Sequence, residues 1–219
     1  MEESLRVYFA GDLFNHKDLA GNLLLADAIE KVSEKRFRCI LPQNLEQSTG
    51  RSVDIRNQDL LEVMLADVLL LNFDGTELDS GTVVEFIYAK SLDIPCVILR
   101  SDFRKGGDEE SGGNPWNLMC SGYPRTEVMT LNSMTWYQES YSSNKTTNAA
   151  FDELYQKMAF EVVSRLKKVL TTTPILAENL AKAREIYRWG LNYPGSGVEN
   201  MMSDSELDQL LSKKIKKIS

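Results

Sequence analysis

Residues 66–89 have the sequence ADVLLLNFDGTELDSGTVVEFIYA, and this stretch decides the fold class. Its first part is almost entirely apolar, as in a central strand of a parallel sheet that is covered on both faces. An acidic turn with Gly75 follows, and residues 79–81 (DSG) are typical of a helix start. Glu85 then falls in the first turns of that helix. Because open α/β sheets bind ligands where strands end, we expect the chemistry at this junction.

Apolar segments and helical repeats alternate along the rest of the chain. Strands are predicted at 5–10, 37–41, 67–73, 94–99 and 126–131, and helices at 18–34, 53–65, 80–92, 148–170, 174–189 and 203–218. This alternation, with right-handed crossovers, predicts an α/β fold: a doubly wound (flavodoxin-like) parallel five-stranded sheet with a helical C-terminal extension.

The change from alternating elements to helices alone predicts the domain organisation. We expect residues 1–140 to form the catalytic domain and residues 141–219 to be the helical extension, packed on the same domain. The long glycine-containing stretch 101–125 is predicted to be a mobile loop, of the kind that often acts as a lid.

Composition excludes several classes of function. The net charge of -7 argues against general binding to nucleic acid or to anionic membranes. No apolar run approaches the length of a membrane span, and the acidic amino terminus does not resemble a signal peptide. The three cysteines lack metal-like spacing and His16 is the only histidine, so we expect no metal and no cofactor. We expect a cytoplasmic enzyme.

Three acidic residues are candidates for catalysis. Taken singly, Glu85 fits a solvated helix position, Asp79 fits a helix cap, and Asp59 fits the surface of the helix at 53–65. Carboxylates that lie close together can instead divide nucleophile and acid/base roles between them. Their joint placement around one strand end favours the second interpretation.

Four separated motifs resemble one enzyme family. Residues 8–14 (YFAGDLF) resemble the N-terminal motif of the nucleoside 2-deoxyribosyltransferases. The spacing of Asp59, Asp79 and Glu85 is similar to that of the family's acidic triad, and residues 117–119 (NLM) resemble its Asn-Leu-Met segment. The resemblance extends over roughly residues 5–135 and does not include the last helices.

The resemblance implies a role for each catalytic residue. Glu85 would be the nucleophile that attacks the anomeric carbon of the deoxyribose, and Tyr8 would hold Glu85 in an attacking orientation. Asp59 would contact the nucleobase and shuttle the proton that makes it a better leaving group. Asp79 would bind the sugar hydroxyls together with Asn117 of an adjacent subunit.

The resemblance also implies the substrate-binding residues and the partners. Met119 would close the sugar pocket. Gly11 and Phe14, in the loop that follows the first strand, would also bind the substrate. The glutamine that reads the base matches this sequence poorly, and Gln47 or Glu46 is the candidate. The partners would be a 2′-deoxyribonucleoside and a free nucleobase, in a homo-oligomer, at least a dimer, with shared active sites.

The chemistry of the bond supports a carboxylate nucleophile. Cleavage of an N-glycosidic bond passes through an oxocarbenium-like state, which an anion beneath the anomeric carbon stabilises. If that anion also forms a bond, two inversions give net retention, and ping-pong kinetics follow. A second base as acceptor makes the enzyme a transferase, whereas water makes it a hydrolase.

Two alternatives come from other classes of protein. Enzymes that cleave nucleoside monophosphates need anion donors in the first loop, whereas here Asp12 would repel a phosphate and Phe14 offers no donor. A receiver or ligand-sensing domain would use Asp74 as its phosphorylated aspartate, but only Asp12 and a poorly placed Lys145 are available to complete that site. Free nucleosides fit the sequence better.

Overall fold

The computed structural model describes residues 3–45, 50–104, 114–141, 145–176 and 179–216. Glu46 and Gln47, the candidates for reading the base, and the centre of the predicted lid lie outside these ranges. The five strands are β1 (Leu5–Ala10), β2 (Phe37–Ile40), β3 (Val68–Asn72), β4 (Cys96–Arg100) and β5 (Thr126–Thr130). All neighbouring strands pair in parallel in the order β2-β1-β3-β4-β5, which confirms the predicted doubly wound fold.

Seven α-helices surround the sheet within the described ranges. They are α1 (His16–Val32), α2 (Ser52–Leu65), α3 (Ser80–Ser91), α4 (Ser133–Ser140), α5 (Thr147–Leu170), α6 (Leu180–Asn192) and α7 (Asp204–Lys216). Helix α4 was not predicted, because it is short and mostly polar. None of the described helices is both long and apolar enough to pass through a lipid bilayer.

Alternating side chains of the central strands divide the core into two layers. Tyr8 and Leu69, which are paired in register, belong to the layer that α2, α3, α6 and α7 cover. Phe9 and Leu70, also paired, belong to the layer that α1 and α5 cover. Since successive side chains of a strand point to opposite faces, Tyr8 must face α3 and not α1.

Helices α6 and α7 belong to the same core as the sheet. Tyr187, Leu191, Leu207 and Leu211 are buried in the layer that also contains Tyr8. The two helices therefore bury apolar surface against the strands and contribute directly to stability, at roughly 25 cal/mol for each Å² removed from water.

Candidate active site

The central contact of the site joins the first strand to the third helix. The Tyr8 hydroxyl donates a hydrogen bond of 2.5 Å to Glu85 Oε1. Tyr8 is fully buried in β1, and Glu85 lies in α3 beside the buried ring of Phe86. The two residues that the sequence predicts as nucleophile and positioning group are therefore in direct contact.

Burial changes the acidity of both partners. Loss of water raises the pKa of Glu85 from 4.5 to about 8; the Tyr8 hydrogen bond opposes this shift, and the nearby Asp59 and Asp79 add to it. Burial, then the charge of Glu85, raises the pKa of Tyr8 well above 10.0. Tyr8 therefore stays neutral and acts as a donor, and it favours the ionised form of Glu85.

Asp59 lies in α2 and faces the same site. Burial raises its pKa from 3.8 to about 6, and Glu62, one turn further along the helix, raises it further. The Glu62 carboxylate is itself held by an ion pair with Arg6 Nη2. A carboxyl group that titrates near neutral pH can both donate and accept a proton in one reaction cycle.

Asp79 is held rigidly at the start of α3. Its Oδ2 accepts hydrogen bonds from the Thr82 backbone N–H at 2.7 Å and from Thr82 Oγ1 at 2.8 Å. Asp79 is therefore the N-cap, because its carboxylate accepts from the first turn of the helix, where negative charge is also favourable. Both bonds use Oδ2, and no donor in the described part of the chain bonds to Oδ1.

Asp12 is a fourth acidic residue of the site, and it was not among the predicted site residues. Burial raises the pKa of Asp12, followed by the negative charges of Asp79, Asp18 and Asp74. Asn22 Nδ2 donates to the Asp12 carbonyl oxygen at 2.9 Å and fixes the loop after β1. Asp12 directly follows β1, which neighbours β3 in the sheet. This position at a strand end could have identified Asp12 from the sequence.

The loop after β1 depends on a glycine. A Cβ atom at Gly11 would lie 3.0 Å from Asn72 Cβ, closer than ordinary contacts, so Gly11 lets the ends of β1 and β3 approach each other. Phe14 follows on the surface with 78% of its area exposed. Gly11 thus shapes the loop after β1, whereas the Phe14 ring is exposed to solvent.

Asn117 and Met119 lie on a short exposed turn. Asn117 Oδ1 accepts from the Met119 N–H at 2.9 Å and caps the 3-10 helix Leu118–Cys120, and Met119 is 69% exposed. Within the described part of a single chain, neither side chain contacts the acidic residues. Their predicted part in a neighbouring subunit's site stays a prediction.

A chain of aromatic rings links this turn to α3. All three contacts are edge to face. The ring centroids lie 5.6 Å apart for Trp116 and Phe73, 5.8 Å for Phe73 and Phe86, and 5.2 Å for Phe86 and Tyr123. This arrangement is favourable for aromatic pairs and anchors both ends of the turn against the helix that contains Glu85.

The Asp74 carboxylate holds the segment that follows β4. Its oxygens accept from the Ser101 N–H at 2.6 Å, from Ser101 Oγ at 2.5 Å and from the Asp102 N–H at 2.8 Å. Lys145, the lysine that a receiver domain would need, pairs with Glu153. Both residues have structural partners, which leaves the receiver interpretation without its active groups.

The acidic residues are not arranged as a metal centre. Within the described ranges, no group of three or more histidine, cysteine, aspartate or glutamate side chains is placed to hold a metal ion. The site instead contains a partly buried carboxyl group, Glu85, that the Tyr8 hydroxyl contacts, and Asp59, whose pKa burial raises to about 6.

Comparison with known protein families gives one match. The sequence model of the nucleoside 2-deoxyribosyltransferases matches residues 7–119, just over half of the 219-residue chain. No curated protein matches the chain significantly.

Three solved structures are similar to this chain at low sequence identity. A conserved protein from Enterococcus faecalis is 25% identical, with 71% of this chain and 99% of that chain covered and a TM-score of 0.49. The 2-desoxiribosyltransferase of Leishmania mexicana is 19% identical (69% and 97% covered, TM-score 0.45). The 2-deoxyribosyltransferase of Bacillus psychrosaccharolyticus is 15% identical (66% and 95% covered, TM-score 0.44).

Proposed function

The chain belongs to the nucleoside 2-deoxyribosyltransferase family, and from this premise we propose that it exchanges the nucleobase of 2′-deoxyribonucleosides. The observation that supports this most directly is the 2.5 Å contact between Tyr8 and Glu85. It places an oriented carboxylate at the edge of the sheet where α/β folds bind ligands.

The proposed reaction has two displacements. The ionised Glu85 attacks C1′ of the deoxyribose, the N-glycosidic bond breaks, and its electron pair moves to the leaving nucleobase. Asp59 supplies the proton that neutralises the base, and Asp79 Oδ1 accepts a hydrogen bond from a sugar hydroxyl. A second base then attacks C1′ of the deoxyribosyl–Glu85 ester, returns a proton to Asp59 and frees Glu85, with net retention.

The choice of acceptor is tested by incubating the protein with thymidine and adenine. A transferase produces deoxyadenosine and thymine. A hydrolase produces thymine and free deoxyribose whether or not adenine is present, and a protein without catalytic activity leaves thymidine unchanged. Only the first result supports the proposal.

Replacement of Tyr8 by phenylalanine tests the role of the hydrogen bond. Since this bond lowers the pKa of Glu85, its loss should raise that pKa and move the acid limb of the kcat/KM profile to higher pH. At neutral pH the rate should fall by about tenfold, as for a hydrogen bond to a charged group. Tyr88→Phe is the control: Tyr88 lies in the same helix as Glu85, but its hydroxyl donates to the Gly190 carbonyl oxygen. The acid limb of its kcat/KM profile should lie at the same pH as in the wild type. An unmoved limb in Tyr8→Phe would contradict the assignment.

We propose a homo-oligomer with shared sites, and mixing two inactive variants tests it. Asn117→Ala and Glu85→Ala should each be impaired alone. In a mixed dimer, one site combines the intact Glu85 of one subunit with the intact Asn117 of the other, so activity should return. No recovery after subunit exchange, or full activity of Asn117→Ala as a monomer, would exclude shared sites.

The proposal also includes the location and the organisation of the chain. All three cysteines are free thiols, which is compatible with a reducing cytoplasm. We assign residues 1–140 to catalysis and residues 141–219 to an extension that completes the core.

A further inference from the structure

An asparagine is buried in α2, the helix that contains Asp59. Asn57 is 4% exposed, and the other buried residues of this helix are apolar: Leu60, Val63 and Met64. A buried amide is unfavourable by about 1–3 kcal/mol unless its polar atoms form hydrogen bonds. Because an apolar side chain would fill this position without that requirement, the partners of the amide indicate its role.

Both polar groups of Asn57 have partners. Asn57 Nδ2 donates to the Ser196 carbonyl oxygen at 2.8 Å, and Asn57 Oδ1 accepts from Arg56 Nε at 3.1 Å. Arg56 Nη2 also donates to the carbonyl oxygens of Pro194 and Gly195, each at 3.2 Å. Three successive carbonyl groups of one loop are thereby bonded to two adjacent residues of α2.

This loop belongs to the C-terminal extension and connects α6 to the 3-10 helix Val198–Asn200. Gly195, Ser196 and Gly197 have positive φ angles of 61°, 60° and 108°. Such a backbone is unfavourable for a residue with a side chain, as at Ser196, and it persists where the surrounding contacts determine it. The hydrogen bonds from α2 are contacts of this kind.

Helix α6 packs against both helices that contain the proposed catalytic carboxylates. A Cβ atom at Gly190 would lie 2.8 Å from Leu92 Cδ2, at the end of α3, and 3.3 Å from Met64 Cε, in α2. Helix α6 therefore lies close to α2 and to α3 at the same point. The extension bridges the helix of Asp59 and the helix of Glu85.

We propose that Asn57 is a positioning residue: together with the loop at residues 194–197, it holds α2 so that Asp59 stays beside Glu85. This role rests on the proposed function, in which Asp59 protonates the leaving base. Asn57 and Asp59 are two positions apart and do not share a face of the helix, so the loop holds α2 on one side and Asp59 faces the site from another. A misplacement of about 1 Å can lower a rate by a factor on the order of 10². The residues that match the family model, 7–119, do not include this loop.

The test compares two donors whose bases differ in their need for a proton. 5-Fluorouracil is a stronger acid than uracil, so it leaves with less help from a proton donor. Asn57→Leu keeps the approximate size of the side chain and removes the donor to Ser196. With adenine as acceptor, its exchange rate should fall by a factor on the order of 10² for 2′-deoxyuridine and by less than about tenfold for 5-fluoro-2′-deoxyuridine. Asp59→Asn should show the same dependence on the donor.

A control variant separates positioning from stability. Val162 is fully buried in α5, in the layer on the other side of the sheet. Val162→Ala should be less stable in urea, but it should keep the wild-type ratio of the two exchange rates, because a loss of folded protein lowers both by the same factor. If Asn57→Leu does not fold, Asn57→Ala removes the same donor with a residue of high helix propensity.

Crystal structures of the wild type and of the Asn57 variant give a measure that does not depend on catalysis. The Asp59 carboxylate should move relative to Glu85 by on the order of 1 Å. The positioning role is overturned if Asp59 keeps its wild-type place in the variant, or if the folded variant keeps the wild-type ratio of rates while Asp59→Asn changes it. A wild type inactive with both donors, or a wild-type ratio in Asp59→Asn, would instead contradict the proposed function. The position of Asp59 in the two crystal structures then still decides whether Asn57 holds it.

Discussion

Glu85→Ala is expected to lower base exchange by a factor on the order of 10³ or more, because the variant cannot form the covalent bond to C1′. Loss of the carboxylate also removes the negative charge that stabilises the oxocarbenium-like state. The fold should persist, since Glu85 lies at the edge of the core and the aromatic contacts of Phe86 are unaffected.

Two further variants separate chemistry from structure. Glu85→Gln keeps the shape and the acceptor for the Tyr8 hydroxyl but should be about as inactive as Glu85→Ala. Glu77→Gln removes an exposed carboxylate from the same acidic turn and should retain nearly full activity. The measurements are exchange rates and the intact mass of enzyme quenched with thymidine, which should show a deoxyribosyl adduct in the wild type and in Glu77→Gln but in neither Glu85 variant. Robust turnover by Glu85→Ala would refute the nucleophile.

Much of the sheet was predictable because its central strands are buried on both faces. Strand β3 is a continuous apolar run, which is typical of a strand covered on both faces. It was predicted at 67–73 and extends over Val68–Asn72, a difference of one residue at each end. Strand β4 was predicted to end at residue 99, before Arg100, because a charge usually ends a buried strand. Arg100 is buried nevertheless, and its guanidinium donates to the carbonyl oxygens of Phe73 and Arg104. The sequence around Arg100 does not indicate that these two carbonyl oxygens will accept from its guanidinium.

The contact between Tyr8 and Glu85 was expected only from the resemblance to a family, because no sequence pattern links a residue of β1 to one of α3. The pKa of Glu85 follows from how completely neighbouring elements exclude water, and no sequence pattern specifies that.

Glu85→Gln should also make the protein more stable, and the gain should depend on pH. The pKa of Glu85 is about 8 in the folded protein and 4.5 without burial. Between these values the folded state keeps a proton that the unfolded state has lost, so wild-type stability falls as pH rises through this window. Glutamine does not titrate. Its advantage should grow from near zero at about pH 4.5 to about 4 kcal/mol at pH 8.

Urea unfolding of the wild type and of Glu85→Gln at about pH 5 and at about pH 8 measures this difference. Glu77→Gln, which removes an exposed carboxylate from the same turn, is measured beside it as the control. A gain of equal size at both pH values would mean that the ionised carboxylate is not disfavoured by folding. A gain that appears only at the higher pH, in a variant that has lost exchange activity, would show that the fold gives up stability to keep a buried nucleophile.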